Sequence, residues 1–77
     1  MRELFDIISL HLDSLETADE KIVLQLFGDE NYKYLRKWHN IEYYGKVLVI
    51  YSENGVFNCA IPLKNILKVY KTSGGSL

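Results

Sequence analysis

The stretch TADEKIVLQLFGDENYKYLRKWHNIEYYGKV, from Thr17 to Val47, decides how the rest of the chain is read. Thr17 followed by Glu20 matches a capping box, Asp19 and Glu20 suit the positive end of a helix, and Gly28 suits the left-handed C′ position. Between these signals Ile22, Val23, Leu26 and Phe27 form one apolar stripe. A second helix is expected after Gly28, with Asp29 as N-cap and Gly45 as its end. In it Tyr34, Trp38 and Ile41 recur at i, i+4 and i+7, flanked by Leu35 and Glu42, while Tyr32, Lys33, Arg36, Asn40 and Tyr43 lie opposite. Ile22, Leu24 and Leu26 also alternate, so Lys21 to Phe27 has a competing strand reading with Gly28 to Asn31 as a hairpin loop. The cap signals at both ends favour the helix.

Downstream, Lys46 to Ser52 and Val56 to Ile61 enclose Glu53-Asn54-Gly55, and Asn-Gly between apolar runs predicts a hairpin with a type I′ turn. With Asn54-Gly55 as the loop, Ser52 faces Phe57, Ile50 faces Cys59 and Leu48 faces Ile61. Leu48, Ile50, Phe57, Cys59 and Ile61 are then a core face. The other face, Val47, Val49, Tyr51, Asn58 and Ala60, is too apolar to be left to water, and a helix or a second subunit is expected to cover it. After Pro62 at a helix N1 position, Leu63, Ile66, Leu67 and Tyr70 fit a short last helix. The alternative is a last strand, Ile66 to Lys71, which makes the C-terminal half a small five-stranded barrel behind an N-terminal helix, similar to Sm-like folds. At the start, Met1, Leu4, Phe5, Ile8, Leu12 and Leu15 share one side of a helix over Arg2 to Leu15, with Leu10 on its polar side.

From the turn onward the chain resembles winged helix-turn-helix domains of small transcription regulators. Tyr34, Arg36, Trp38, Ile41, Glu42, Gly45 and Val47 stand at the places of that family's pattern in its third helix, and the spacing from Gly28 to Gly45 and the placement of Ile22 and Leu26 are also similar. The resemblance implies an α+β fold: three helices, a β-hairpin wing and a short C-terminal helix, as a single domain over residues 1–71, with 72–77 (TSGGSL) as a flexible tail. It implies a cytoplasmic regulator of transcription that binds double-stranded DNA and dimerises through its first or last helix. In that reading Lys33, Arg36 and Lys37 contact phosphate, while Tyr32, Arg36 and Asn40 reach base edges in the major groove. Asn54 stands at the tip of the wing, beside Glu53 and without a neighbouring cation.

Composition narrows the function classes. The formal net charge of −1 and pI near 6.1 remove whole-molecule electrostatics as a route to nucleic acid, leaving only a local basic patch. Cys59 is the single cysteine, so no internal disulfide is expected, and a reducing compartment fits. The start MRELFDII lacks the pattern of a signal peptide, and no run reaches membrane-spanning length. His11 and His39 lack ligand partners at metal-site spacing, and no phosphate loop, nucleophile elbow or HExxH motif occurs. A non-catalytic protein without cofactor or metal is therefore expected. Two further readings stand beside DNA binding: a protein-interaction module anchored by six tyrosines and Trp38, and an Sm-like ring binding RNA or nucleotides.

Overall fold

In the computed structural model, residues 2–28 and 31–72 are described. One α-helix, α1 (Arg2–Asp13), is followed by β1 (Lys21–Leu26), β2 (Tyr32–Leu35), β3 (Asn40–Tyr44), β4 (Val47–Tyr51), β5 (Phe57–Pro62), a single 3-10 turn (Leu63–Asn65) and β6 (Ile66–Thr72). The winged helix-turn-helix is thereby overturned: both helices expected between Thr17 and Gly45, and the one expected after Pro62, are strands. The competing strand readings of Lys21 to Phe27 and of Ile66 to Lys71 are the ones the fold follows.

The physical reason lies in residue type. Residues 32–44 carry four tyrosines, Trp38, His39, Asn40 and Ile41, side chains that lose rotamer freedom or compete with the backbone in a helix but mostly fit a pleated, half-buried surface. The punctuation signals were real but ambiguous. Glu20 Oε1 accepts the backbone N–H of Glu16 at 2.6 Å and of Thr17 at 3.1 Å, and Glu20 N–H donates to the Thr17 carbonyl at 3.3 Å, yet this box closes a turn that enters β1. Gly28 and Gly45 have φ of +92° and +64°, as a C′ position requires, but they end β1 and turn β3 into β4. Tyr44 pairs with Val47, so Gly45-Lys46 is a two-residue loop with glycine first, the composition of a type II′ turn. Asp29, the expected N-cap, lies outside the described residues.

The strands form two antiparallel three-stranded sheets, ordered β2-β1-β6 and β3-β4-β5. The chain turns from the first into the second at Arg36–His39, where the Arg36 N–H donates to His39 Nδ1 at 2.8 Å and the His39 N–H to the Arg36 carbonyl at 3.0 Å. It returns through the 3-10 turn, pinned by Leu63 N–H to the Lys46 carbonyl at 3.0 Å and by Phe27 N–H to the Asn65 carbonyl at 2.8 Å. Ile22, Leu24 and Leu35 from one sheet meet Leu48, Ile50 and Ile61 from the other, and Ile8 of α1 closes the core with no exposed area. Leu4, Phe5 and Leu12 pack beside it, while Leu10 is exposed, as its place on the polar side of the helix predicts.

The β4–β5 hairpin keeps the expected pairs Leu48–Ile61 and Ile50–Cys59, but Phe57 pairs with Tyr51 across a bulge instead of facing Ser52. The loop is three residues long, not two: Ser52 N–H donates to the Val56 carbonyl at 2.8 Å and Gly55 N–H to the Ser52 carbonyl at 2.9 Å. Only Gly55 takes a positive φ, +83°, whereas a type I′ turn would require one at Asn54 as well. The extra residue swings Phe57 out of the predicted core face, leaving it 60% exposed. Thr72, the first residue of the expected tail, is the last of β6, and the rest of that tail lies outside the described residues.

Candidate binding surfaces

Residues expected to share a recognition helix are distributed over the fold. Tyr32 projects from β2 on the outer face of the first sheet. Lys33, on the other side of the strand, donates to Asn58 Oδ1 at 3.1 Å and so ties β2 to β5. The Arg36 guanidinium donates to the carbonyls of Ala18 at 3.1 Å and Asp19 at 3.4 Å, and Lys37 donates to the Glu16 carbonyl at 3.2 Å. These two cations therefore hold the 16–19 loop onto the corner. Asn40 begins β3 opposite Tyr51. Asn54 sits in the β4–β5 loop, its Oδ1 accepting the Val56 N–H at 3.4 Å. Lys37 and Asn40 do meet, with Ser9, Asp13 and His39, along a groove of about 350 Å³ between α1 and the corner. Burial, followed by the nearby charges of Lys33 and Arg36, holds His39 below its ordinary pKa, and its Nδ1 is occupied by the Arg36 amide.

Alternation along the strands produces two outer faces of different chemistry. On the second sheet the cross-strand rows read Tyr44–Val47–Pro62, Glu42–Val49–Ala60 and Asn40–Tyr51–Phe57. Tyr44 is 74% exposed and Phe57 packs edge-on against Tyr51 at 6.4 Å between ring centroids. Glu42, the one ionisable carboxylate in these rows, accepts the Tyr51 hydroxyl at 3.1 Å, and that bond raises the tyrosine's pKa. Next to Phe57, Trp38 and Val56 line a shallow groove of about 420 Å³ with Ser52, Glu53 and Asn54.

On the first sheet the rows read Tyr32–Gln25–Lys68, then Tyr34–Val23–Tyr70, then Lys21–Thr72. Val23 is only 2% exposed although it faces away from the main core cluster, because it lies between Tyr34 and Tyr70 in register. The Lys21 ammonium stands 4.2 Å from the centroid of the Tyr34 ring and that of Lys68 5.3 Å from Tyr70. Sequence reasoning missed this face because it treated Lys21 to Phe27 and Tyr32 to Tyr44 as helices; a period of two, applied to Lys21, Val23 and Gln25 and to Tyr32 and Tyr34, would have found it.

Among the described residues no group of three or more His, Cys, Asp or Glu side chains is arranged to hold a metal ion, and no helix is long and apolar enough to cross a membrane. Cys59 lies half-buried on the inner side of β5. No family model, curated protein or solved structure matches the chain.

Proposed function

We propose that the protein is a non-catalytic interaction module that associates with a second copy of itself through the outer face of the second sheet. The observation that supports this reading is the run of Tyr44, Val47, Val49, Ala60, Tyr51 and Phe57 across three strands with no lysine or arginine in its rows. An apolar sheet face of this width is costly to leave in water, and the same face of a second copy matches it in chemistry through a two-fold axis. With Val49 on the central strand at the axis, Glu42 stands beside it on the edge strand β3, where its carboxylate accepts the Tyr51 hydroxyl and opens to solvent past the sheet edge. A chain of 77 residues also has a small core, and association adds burial that the single domain lacks. A recognition helix that reads duplex DNA has no counterpart here, since β2 and β3 run where it would lie.

The test is sedimentation equilibrium between about 1 and 100 μM, the range that spans the weaker stable interfaces. The native chain is expected to be dimeric, and Val49→Lys, which sets two ammonium groups at the axis, to be monomeric with an unchanged far-ultraviolet spectrum. A native chain that stays monomeric throughout that range overturns the proposal.

A further inference from the structure

We infer that the outer face of the first sheet is a binding surface for single-stranded nucleic acid. Three features of this face point to that ligand, and none depends on the second sheet. The first is aromatic area: Tyr32 and Tyr34 are 43% and 45% exposed and stand two residues apart on one strand, about 7 Å along it, with Tyr70 across β1. Large rings half in water on a sheet are platforms on which unpaired bases stack, whatever their sequence.

The second feature is charge. The chain as a whole carries −1, which leaves only a local patch to attract an anion. Lys21 and Lys68 supply two cations towards opposite ends of this face, and its strand residues include no aspartate or glutamate. Other cations are engaged elsewhere: Lys33 with Asn58, Arg36 and Lys37 with the 16–19 loop, Lys71 with Glu20 at 3.5 Å. The third is how the two chemistries are interleaved. Lys21 stands over the ring of Tyr34 and Lys68 over that of Tyr70, so a base stacked on Tyr32, or one that takes an ammonium's place on its ring, has a phosphate within reach of a lysine already positioned on the same face. A duplex does not offer this combination, because its base faces are already stacked inside the helix; the ligand is therefore single-stranded.

The experiment is fluorescence anisotropy of fluorescein-labelled dT12 and rU12, and of a 12-base-pair duplex, titrated with the full chain at 50 and 200 mM salt. Binding of at least one single strand, tighter than the duplex, is expected. Two phosphate contacts at a slope of about −0.7 each give a weakening of about sevenfold over that fourfold rise in salt. Lys21→Glu with Lys68→Glu is expected to abolish the salt dependence and most of the binding. Tyr32→Ala, which leaves the cover over Val23 in place, is expected to weaken binding about fivefold or more at an unchanged thermal midpoint. Lys46→Glu with Lys64→Glu makes the same change in net charge on residues outside this face and is expected to retain binding. The inference fails if neither single strand binds at 50 mM salt, or if the Lys46/Lys64 pair loses as much as the Lys21/Lys68 pair. It also fails if Tyr32→Ala binds as the native chain does.

Discussion

The carboxylate of Glu20 accepts the backbone N–H of Thr17 at 3.1 Å and that of Glu16 at 2.6 Å, and in doing so ends the loop that delivers the chain into β1. The amides of Glu16 and Thr17, and then Lys71, hold this carboxyl below its ordinary pKa of 4.5. A group whose pKa is depressed by folding adds stability above its unfolded value, and that stability is lost as the pH falls through the folded one. Acid titration of the native chain is therefore expected to show a loss of stability beginning near pH 4.5. Glu20→Gln, followed by thermal melts from pH 7 to pH 3, is expected to be less stable at neutral pH and to lose less on acidification. A steeper acid loss in the variant than in the native chain would contradict this role.

His39 gives a second, separable pH dependence. Its depressed pKa means that below about 6.5 the unfolded chain binds a proton that the folded chain does not, so stability falls from that pH downward until the folded imidazole also titrates. His39→Asn is expected to remove this part of the slope, with its side-chain oxygen taking over the Arg36 N–H. An imidazole that titrates above 6.5 by nuclear magnetic resonance would show the environment to be other than described.

Leu35 and Trp38 separate the strand register from the helical one. In a helix Trp38 belongs to the buried stripe and Leu35 to its flank; in the observed fold Leu35, on β2, is fully buried and Trp38, in the corner after it, is 41% exposed. Leu35→Ala is expected to cost about 2–5 kcal/mol in urea unfolding, and Trp38→Ala no more than about 1 kcal/mol. The reverse order would refute the register.

Gly45 has open space around the position of a Cβ, so substitution there meets no neighbour and reports backbone strain alone. Gly45→Ala at φ +64° is expected to cost about 1–2 kcal/mol, and Gly45→Asn less, since asparagine tolerates the left-handed region.

Several local features were legible in the sequence because they depend on near neighbours only. The amphipathic stripe of α1 forms and buries Ile8, and the pairs Leu48–Ile61 and Ile50–Cys59 follow from the hairpin around Glu53-Asn54-Gly55. The Glu20 carboxylate does reach back to the Thr17 amide, although no helix follows, and Gly28 and Gly45 do take positive φ. What these last signals do not specify is the element they punctuate: a glycine at positive φ serves a helix C′ and a hairpin equally, and a carboxylate caps any free amides within reach.

Tertiary structure decided the rest. Ile22, Val23, Leu24 and Leu26 satisfy both a helical stripe and an alternating strand, and the choice between them was made by partners distant in sequence. Ile22 sits between Leu35 and Lys71, and Val23 between Tyr34 and Tyr70, contacts that no window of neighbouring residues contains. The same holds for the candidate sites. The sequence by itself named Tyr32, Lys33, Arg36 and Lys37 as a group; the fold turned Lys33, Arg36 and Lys37 into structural ties and joined Tyr32 to Lys68, because alternation on a sheet sends adjacent residues to opposite sides and register brings remote ones together.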